Sequence, residues 1–168
     1  VQIRIKRVAD ILLSTVILFF TSPIIITCGL LIYFEDRGPI FYSQSRTGKD
    51  SKVFKIWKLR SMKVNAEEGG IQWSKKKDKR NTKIGNIIRK ARIDELPQLI
   101  CVIRGEMSLI GPRPERPEID IVLDEKIPHY RLRYNLKPGL SGWAQVNYPY
   151  GASIDDSSNK LSYDLFYL

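Results

Sequence analysis

From Ile11 to Phe34 the chain runs for 24 residues without a charge (ILLSTVILFFTSPIIITCGLLIYF), between Asp10 and Glu35. A bilayer core of about 30 Å takes about 20 helical residues, so the stretch is long enough to span. It is too long for a cleaved signal peptide, and no small-residue cleavage site precedes Glu35. A helix buried in a soluble core is rarely apolar on every face for so long. Two readings stay open, a straight transmembrane helix and a helix–break–helix that enters the membrane and returns. Pro23 lacks the amide that a continuous helix uses and bends it. Ser22, just before it, can offer its hydroxyl to a carbonyl freed by the bend. Arg4, Lys6 and Arg7 precede the segment and a second basic set begins at Arg46; a returning helix keeps both on the cytoplasmic side. The re-entrant reading, with Ser22 and Pro23 as its hinge, is therefore the expected one.

Beyond it the pattern shortens. Residues 39–46 (PIFYSQSR) and 52–60 (KVFKIWKLR) are β-rich runs around Thr47-Gly48-Lys49-Asp50, which predicts a hairpin. Residues 65–82 are polar and read as a loop. Over 83–92 the spacing of Ile84, Ile87, Ile88 and Ala91 predicts a helix with one apolar face. A second helix is expected from Asp94, with Leu96, Leu99, Ile100 and Ile103 as its stripe and Asp94 as its cap. Pro97 falls in its first turn and Gly105 at its stop. Residues 108–118 (SLIGPRPERPE) read as a proline-stiffened connector, 118–126 as a helix, and 136–147 (LKPGLSGWAQVN) as turn-rich.

Composition adds one large fact. The formal net charge is +10, and residues 46–92 carry sixteen Lys or Arg against four Asp or Glu, whereas residues 93–168 carry eight against eleven. A mid-chain basic block points to phosphate-bearing partners: nucleotides, anionic lipids or nucleic acid. KKKDKR at 75–80 reads either as a solvated charge cluster or as a contact for anionic headgroups. With two cysteines and one histidine, a disulfide scaffold and a Cys/His zinc site are out of reach, so any metal must use oxygen ligands.

Asp94-Glu95 stands beside the basic block. Taken alone, the pair reads most simply as a helix cap plus a first-turn acid, with Asp94 held as an anion by exposed N–H groups. Its surroundings favour chemistry. Arg89 precedes Asp94 by five residues, and Arg113 sits between two prolines that would present its guanidinium with little entropic loss. Such a fork suits phosphate. Lys58 and Arg60 end a predicted strand and add positive charge, or form an ordinary solvated strand face. Trp143 and Tyr148-Pro149-Tyr150 read as packing or as a base-stacking platform, and His129 as structural.

KIGNIIRKARIDELPQL, SLIGPRP, the Ser-Pro apolar segment, KLRSM (58–62) and PGLSGWAQVN (138–147) occur together and in order. In these the chain resembles the bacterial sugar transferase family, the monotopic polyprenyl-phosphate phosphoglycosyl transferases, from Lys6 to Leu168. The resemblance implies an α/β (α+β) fold: a small, mainly helical catalytic domain over 37–168 with a short β-hairpin, and a re-entrant membrane helix over 1–36. It implies transfer of a sugar phosphate from a UDP-sugar to undecaprenyl phosphate, with UMP released, at the cytoplasmic face of the bacterial inner membrane. By carry-over Asp94 is the nucleophile that forms a covalent phosphosugar intermediate. Glu95, with Asp94 beside it, holds Mg²⁺, and Arg89 and Arg113 contact phosphate, with Lys58 and Arg60 among the substrate-binding residues. The partners implied are the UDP-sugar, undecaprenyl phosphate and membrane lipids, not nucleic acid. Leu59 departs from the Phe of many relatives. The family's sequence runs on past SYDLFYL, so C-terminal elements are expected beyond Leu168, and many relatives carry a membrane region before the domain. Two rival readings remain: a glycosyltransferase that moves the sugar alone and releases UDP, and a membrane-tethered basic module that binds anionic lipid or nucleic acid.

Overall fold

In the computed structural model, which describes residues 2–66, 78–149, 151 and 153–167, the apolar segment lies in one α-helix, α1, Gln2–Asp36, with Pro23 inside it. The helical run is not interrupted at Ser22-Pro23, where the sequence predicts a break. The lost hydrogen bond is compensated locally. Pro23 has no amide to give Phe19 O, and Ser22 Oγ donates to that carbonyl at 2.8 Å. Thr21 and Thr27 make the same kind of bond to Ile17 O and Pro23 O. Phe19 and Phe20 are each 73% exposed and Phe34 67%, which no soluble core helix would tolerate. Among the described residues, this helix is long and apolar enough to cross a membrane.

Among the described residues the remaining elements are mainly helical with two short sheets, the predicted α+β class. Strands β1 (Phe41–Thr47) and β2 (Val53–Leu59) form the expected antiparallel hairpin. Its tip is a 3₁₀ turn, Lys49–Ser51, in which Asp50 and Ser51 have positive φ. Residues 67–77, including the first three lysines of KKKDKR, lie outside the described residues; of the rest, Arg80 pairs with Asp78 at 2.6 Å.

The chain forms two compact units. The smaller comprises Val16–Ser43 and Trp57–Gln98. Its core is Ile32 of α1, Leu59 of β2 and Ile88 of the helix α2 (Lys83–Lys90), with Ile25, Cys28, Ile40, Ile84 and Ile93 packed on it. Thr82 caps α2 by accepting from Gly85 N, and the Glu35 carboxylate accepts from Lys83 N at 2.7 Å and Ile84 N at 3.2 Å. An acid at the end of the membrane helix thus satisfies orphan amides of α2. Ile87, expected on the buried face, is 62% exposed: the helix buries the row through Gly85 and Ile88 instead.

The larger unit comprises Val1–Thr15, Gln44–Ile56 and Leu99–Leu168. One core joins Ile56 to Cys101 and Val102 of α3 (Leu99–Arg104) and to Met107. Gly105, at φ +91, ends α3 in a conformation that favours glycine. A second core joins Leu123 and Ile127 at α4 (Pro117–Lys126) to Tyr130, Tyr134 and Leu161. The connector holds a strand the sequence pattern does not reveal: β3 (Ser108–Ile110) pairs in parallel with β4 (Gly139–Ser141). A Cβ on Gly139 would lie 2.1 Å from Gly111 N, so this approach requires glycine. Helices α5 (Trp143–Asn147) and α6 (Ile154–Phe166) complete the unit, the latter opened by a Ser153/Asp156 capping box. The start of α1 is tied down as well. Asp10 accepts from Ser108 Oγ and Leu109 N, and Arg7 donates to Val102 O and Ile103 O at the end of α3.

Candidate active site

Asp94 and Glu95 do not open an α-helix, as the stripe suggested. They lie inside a 3₁₀ helix, Ile93–Gln98, that precedes α3. Arg92, at φ +59, turns the chain between the end of α2 and this segment, and Pro97 has no amide to extend an α-type ladder. The tighter winding changes the phase. Leu99, Cys101 and Val102 become the buried residues while Ile100 is 38% exposed. It also buries both acids, Asp94 at 7% and Glu95 at 8% exposure.

The two carboxylates are treated differently. Glu95 Oε1 meets Lys58 Nζ of β2 at 3.4 Å, and Arg92 Nη1 at 3.7 Å from a largely exposed side chain. Asp94 Oδ1 is buried and has no hydrogen-bond partner among the described residues. Burial raises the Asp94 carboxyl above its ordinary range, the charge of Glu95 adds to this, and Lys58, Arg89 and Arg92 pull the other way. The expected stabilisation of its anion by a helix terminus is thus overridden by desolvation and a like charge. An ionised Asp94 here is poorly solvated and unsatisfied, which makes it basic and nucleophilic in the presence of cationic groups. Arg89, half-buried in the last turn of α2, contributes one of these; its Nη1 also approaches Asn81 Oδ1 at 3.5 Å.

Among the described residues there is no cluster of three or more His, Cys, Asp or Glu that would cage a metal with protein ligands alone. Asp94 and Glu95 fit the other common arrangement, in which a hard divalent ion takes one or two carboxylates and completes its shell with water and substrate phosphates. The unsatisfied Asp94 Oδ1 is an oxygen such an ion would complement.

Arg60 has a different setting. It is 6% exposed, and both its terminal nitrogens are bonded to the Asp36 carboxylate at the end of α1. Arg113 belongs to the larger unit, in the stretch Gly111–Glu115 between β3 and α4, and is half-buried. Trp143 stacks on Phe166 with ring centroids 6.3 Å apart, and Tyr148 donates to Asp156. Tyr150 lies outside the described residues. His129 takes a left-handed conformation before the 3₁₀ helix Tyr130–Asn135, in keeping with a structural place. Arg92 is the neighbour that motif reasoning passed over; its i,i+3 spacing to Glu95 was the available signal.

The chain matches the family described as "Bacterial sugar transferase" over residues 1–168. The chain belongs to the bacterial sugar transferase family. Three relatives show what such transferases are named for. A UDP-N-acetylgalactosamine-undecaprenyl-phosphate N-acetylgalactosaminephosphotransferase of Aeromonas hydrophila is 44% identical over 98% of this chain and 39% of its own length. A UDP-glucose:undecaprenyl-phosphate glucose-1-phosphate transferase of Escherichia coli K12 is 38% identical over 98% of this chain and 36% of its own. An exopolysaccharide production protein PSS of Rhizobium leguminosarum bv. phaseoli is 36% identical over 84% of this chain and 73% of its own. This sugar transferase sequence thus spans well under half of the first two relatives.

Proposed function

We propose that the protein is a membrane-bound phosphoglycosyl transferase that moves a sugar 1-phosphate from a UDP-sugar to undecaprenyl phosphate and releases UMP. The observation that carries this reading is the buried, unsatisfied Asp94 oxygen beside a Glu95 neutralised by Lys58. In the first displacement an Asp94 oxygen attacks the sugar-bearing phosphorus. The bond from that phosphorus to the bridging oxygen breaks, and UMP leaves with the oxygen. Asp94 then carries the sugar phosphate as an acyl phosphate. In the second, a phosphate oxygen of undecaprenyl phosphate attacks the same phosphorus, forms the lipid pyrophosphate and returns Asp94 to its carboxylate.

Charge explains the residues around the nucleophile. A carboxylate approaches a pyrophosphate only where cations screen both. Arg89 and Arg113 are assigned to phosphate oxygens, and Lys58 holds Glu95 and lowers the repulsion at Asp94. Asp94 and Glu95 would hold Mg²⁺, which supplies Lewis-acid stabilisation of phosphate charge when bound. Arg60, bonded to Asp36, contributes by fixing the end of β2 that bears Lys58. The lipid acceptor stays in the bilayer, so α1 keeps the site at the headgroup plane. The basic residues on both sides of α1 support a helix that enters and leaves on the cytoplasmic face of the inner membrane, bending at Pro23. The test is the nucleotide released by the full-length protein in detergent with undecaprenyl phosphate and a panel of UDP-sugars that includes UDP-GalNAc and UDP-glucose. UMP release supports the proposal. UDP release assigns the chain to sugar-only transfer, and no turnover with any donor favours a tethered binding module.

A further inference from the structure

The stretch from Gly111 to Glu115 contains two prolines and so has few amides of its own, yet four consecutive carbonyls in it each accept a hydrogen bond from elsewhere in the larger unit. Pro112 O accepts from Gly139 N at 2.8 Å, and Glu115 O from Thr47 N at 3.0 Å. Pro114 O accepts from Arg46 Nη1 at 3.1 Å. Arg113 O accepts from Arg133 Nη2 at 2.7 Å. The flanking prolines restrict the backbone of Arg113 on both sides, and the bond from Arg133 fixes the peptide plane that follows it.

Arg133 is costly to keep where it is. Its side chain is 7% exposed, and its guanidinium lies over the rings of Tyr130 and Tyr134. It pairs with Asp164 of α6 at 3.0 Å, itself 4% exposed, and Nη1 donates to Tyr130 OH. Buried ion pairs add little stability over a well-packed apolar substitute, because desolvation offsets the attraction. What an apolar substitute could not do is hold the Arg113 carbonyl. Resting on the reading of Arg113 as a phosphate-binding residue, we infer that Arg133, oriented by Asp164, is a positioning residue that sets the Arg113 guanidinium for the donor's phosphate. A displaced fork loses its bidentate geometry even though its charge remains.

The test is a double-mutant cycle on the full-length protein, with KM for the UDP-sugar and kcat measured separately and thermal unfolding recorded for each variant. Arg133→Lys keeps the charge for Asp164 and loses the planar fork. It raises donor KM about tenfold, the equivalent of one charged hydrogen bond, with kcat changed far less. Arg113→Met raises donor KM at least as much. The double variant is no worse than Arg113→Met alone, because Arg133 acts only through that side chain. Losses that multiply, or an unchanged donor KM in folded Arg133→Lys, overturn the inference while leaving Arg113 in its role. An unchanged KM in Arg113→Met removes the reading of Arg113 and the inference with it. Should Arg133→Lys fail to fold, Asp164→Asn, which keeps the shape of the partner but not its charge, takes its place in the cycle with the same two outcomes.

Discussion

Replacing Asp94 by Asn should abolish turnover and make the protein more stable near neutral pH. The side chain is 7% exposed, one oxygen has no partner among the described residues, and burial followed by the Glu95 charge raises its carboxyl. A buried unsatisfied acceptor costs about 1–3 kcal/mol. Lys58, Arg89 and Arg92 offset part of this, so relief of about 1–2 kcal/mol is expected on substitution by Asn, which has the same shape and no charge. For a chain of this size that corresponds to a Tm higher by roughly 2–8 °C. The pH dependence carries a definite sign. An acid whose folded-state value lies above its unfolded value of about 3.9 binds its proton more tightly when folded. Wild-type stability therefore falls as pH rises from that unfolded value through the raised native one, and is level beyond. The Asn variant lacks this loss, so its advantage is full above the raised native value and shrinks as pH approaches about 4. Tryptophan-detected melting in detergent, with a chelator present, measures both variants across that range. An Asn variant that melts lower at neutral pH, or by a margin that does not change with pH, would refute the reasoning.

Other outcomes follow from the same geometry. Mg²⁺ should raise the Tm of the wild type and do so much less in Asp94→Asn and Glu95→Gln; equal shifts in all three would remove the metal from this site. Glu35→Ala deletes the carboxylate that caps α2 and should cost about 1 kcal/mol, read by thermal melting, with weaker donor binding because α2 carries Arg89. Arg60→Met breaks a largely buried pair with Asp36 and should cost about 2–4 kcal/mol in denaturant titration, less than a fully buried pair because Asp36 is 25% exposed. Ile88→Ala, at a position 1% exposed, should cost about 2–5 kcal/mol by the same titration.

The legible parts of the fold were those written in local pattern. The apolar segment, the hairpin, α2 and α4 follow from uncharged length, β-rich runs and i,i+3/i+4 spacing. The 3₁₀ helix at Ile93–Gln98 was not legible, because its apolar residues also satisfy an α-helical stripe and only the winding tells them apart. The β3–β4 ladder escaped for another reason: each strand has three residues, and the partners lie about thirty apart in sequence. α6 had a usable signal in Ser153 and Asp156, the capping box. For the site, the residue types around Asp94 were legible and their environment was not. Lys58 reaching Glu95, and Arg60 closing on Asp36, depend on partners 37 and 24 residues away. Long-range packing decides which basic residue serves the carboxylates and which serves the scaffold.

The central claim is that Asp94 becomes phosphorylated by its donor. The most direct measurement is the intact mass of the full-length protein mixed with its UDP-sugar and quenched before any lipid acceptor is added. The account predicts a mass increase of one sugar phosphate, mapped to the peptide bearing Asp94 and discharged on adding undecaprenyl phosphate. Full turnover by a protein that never carries that adduct would contradict it.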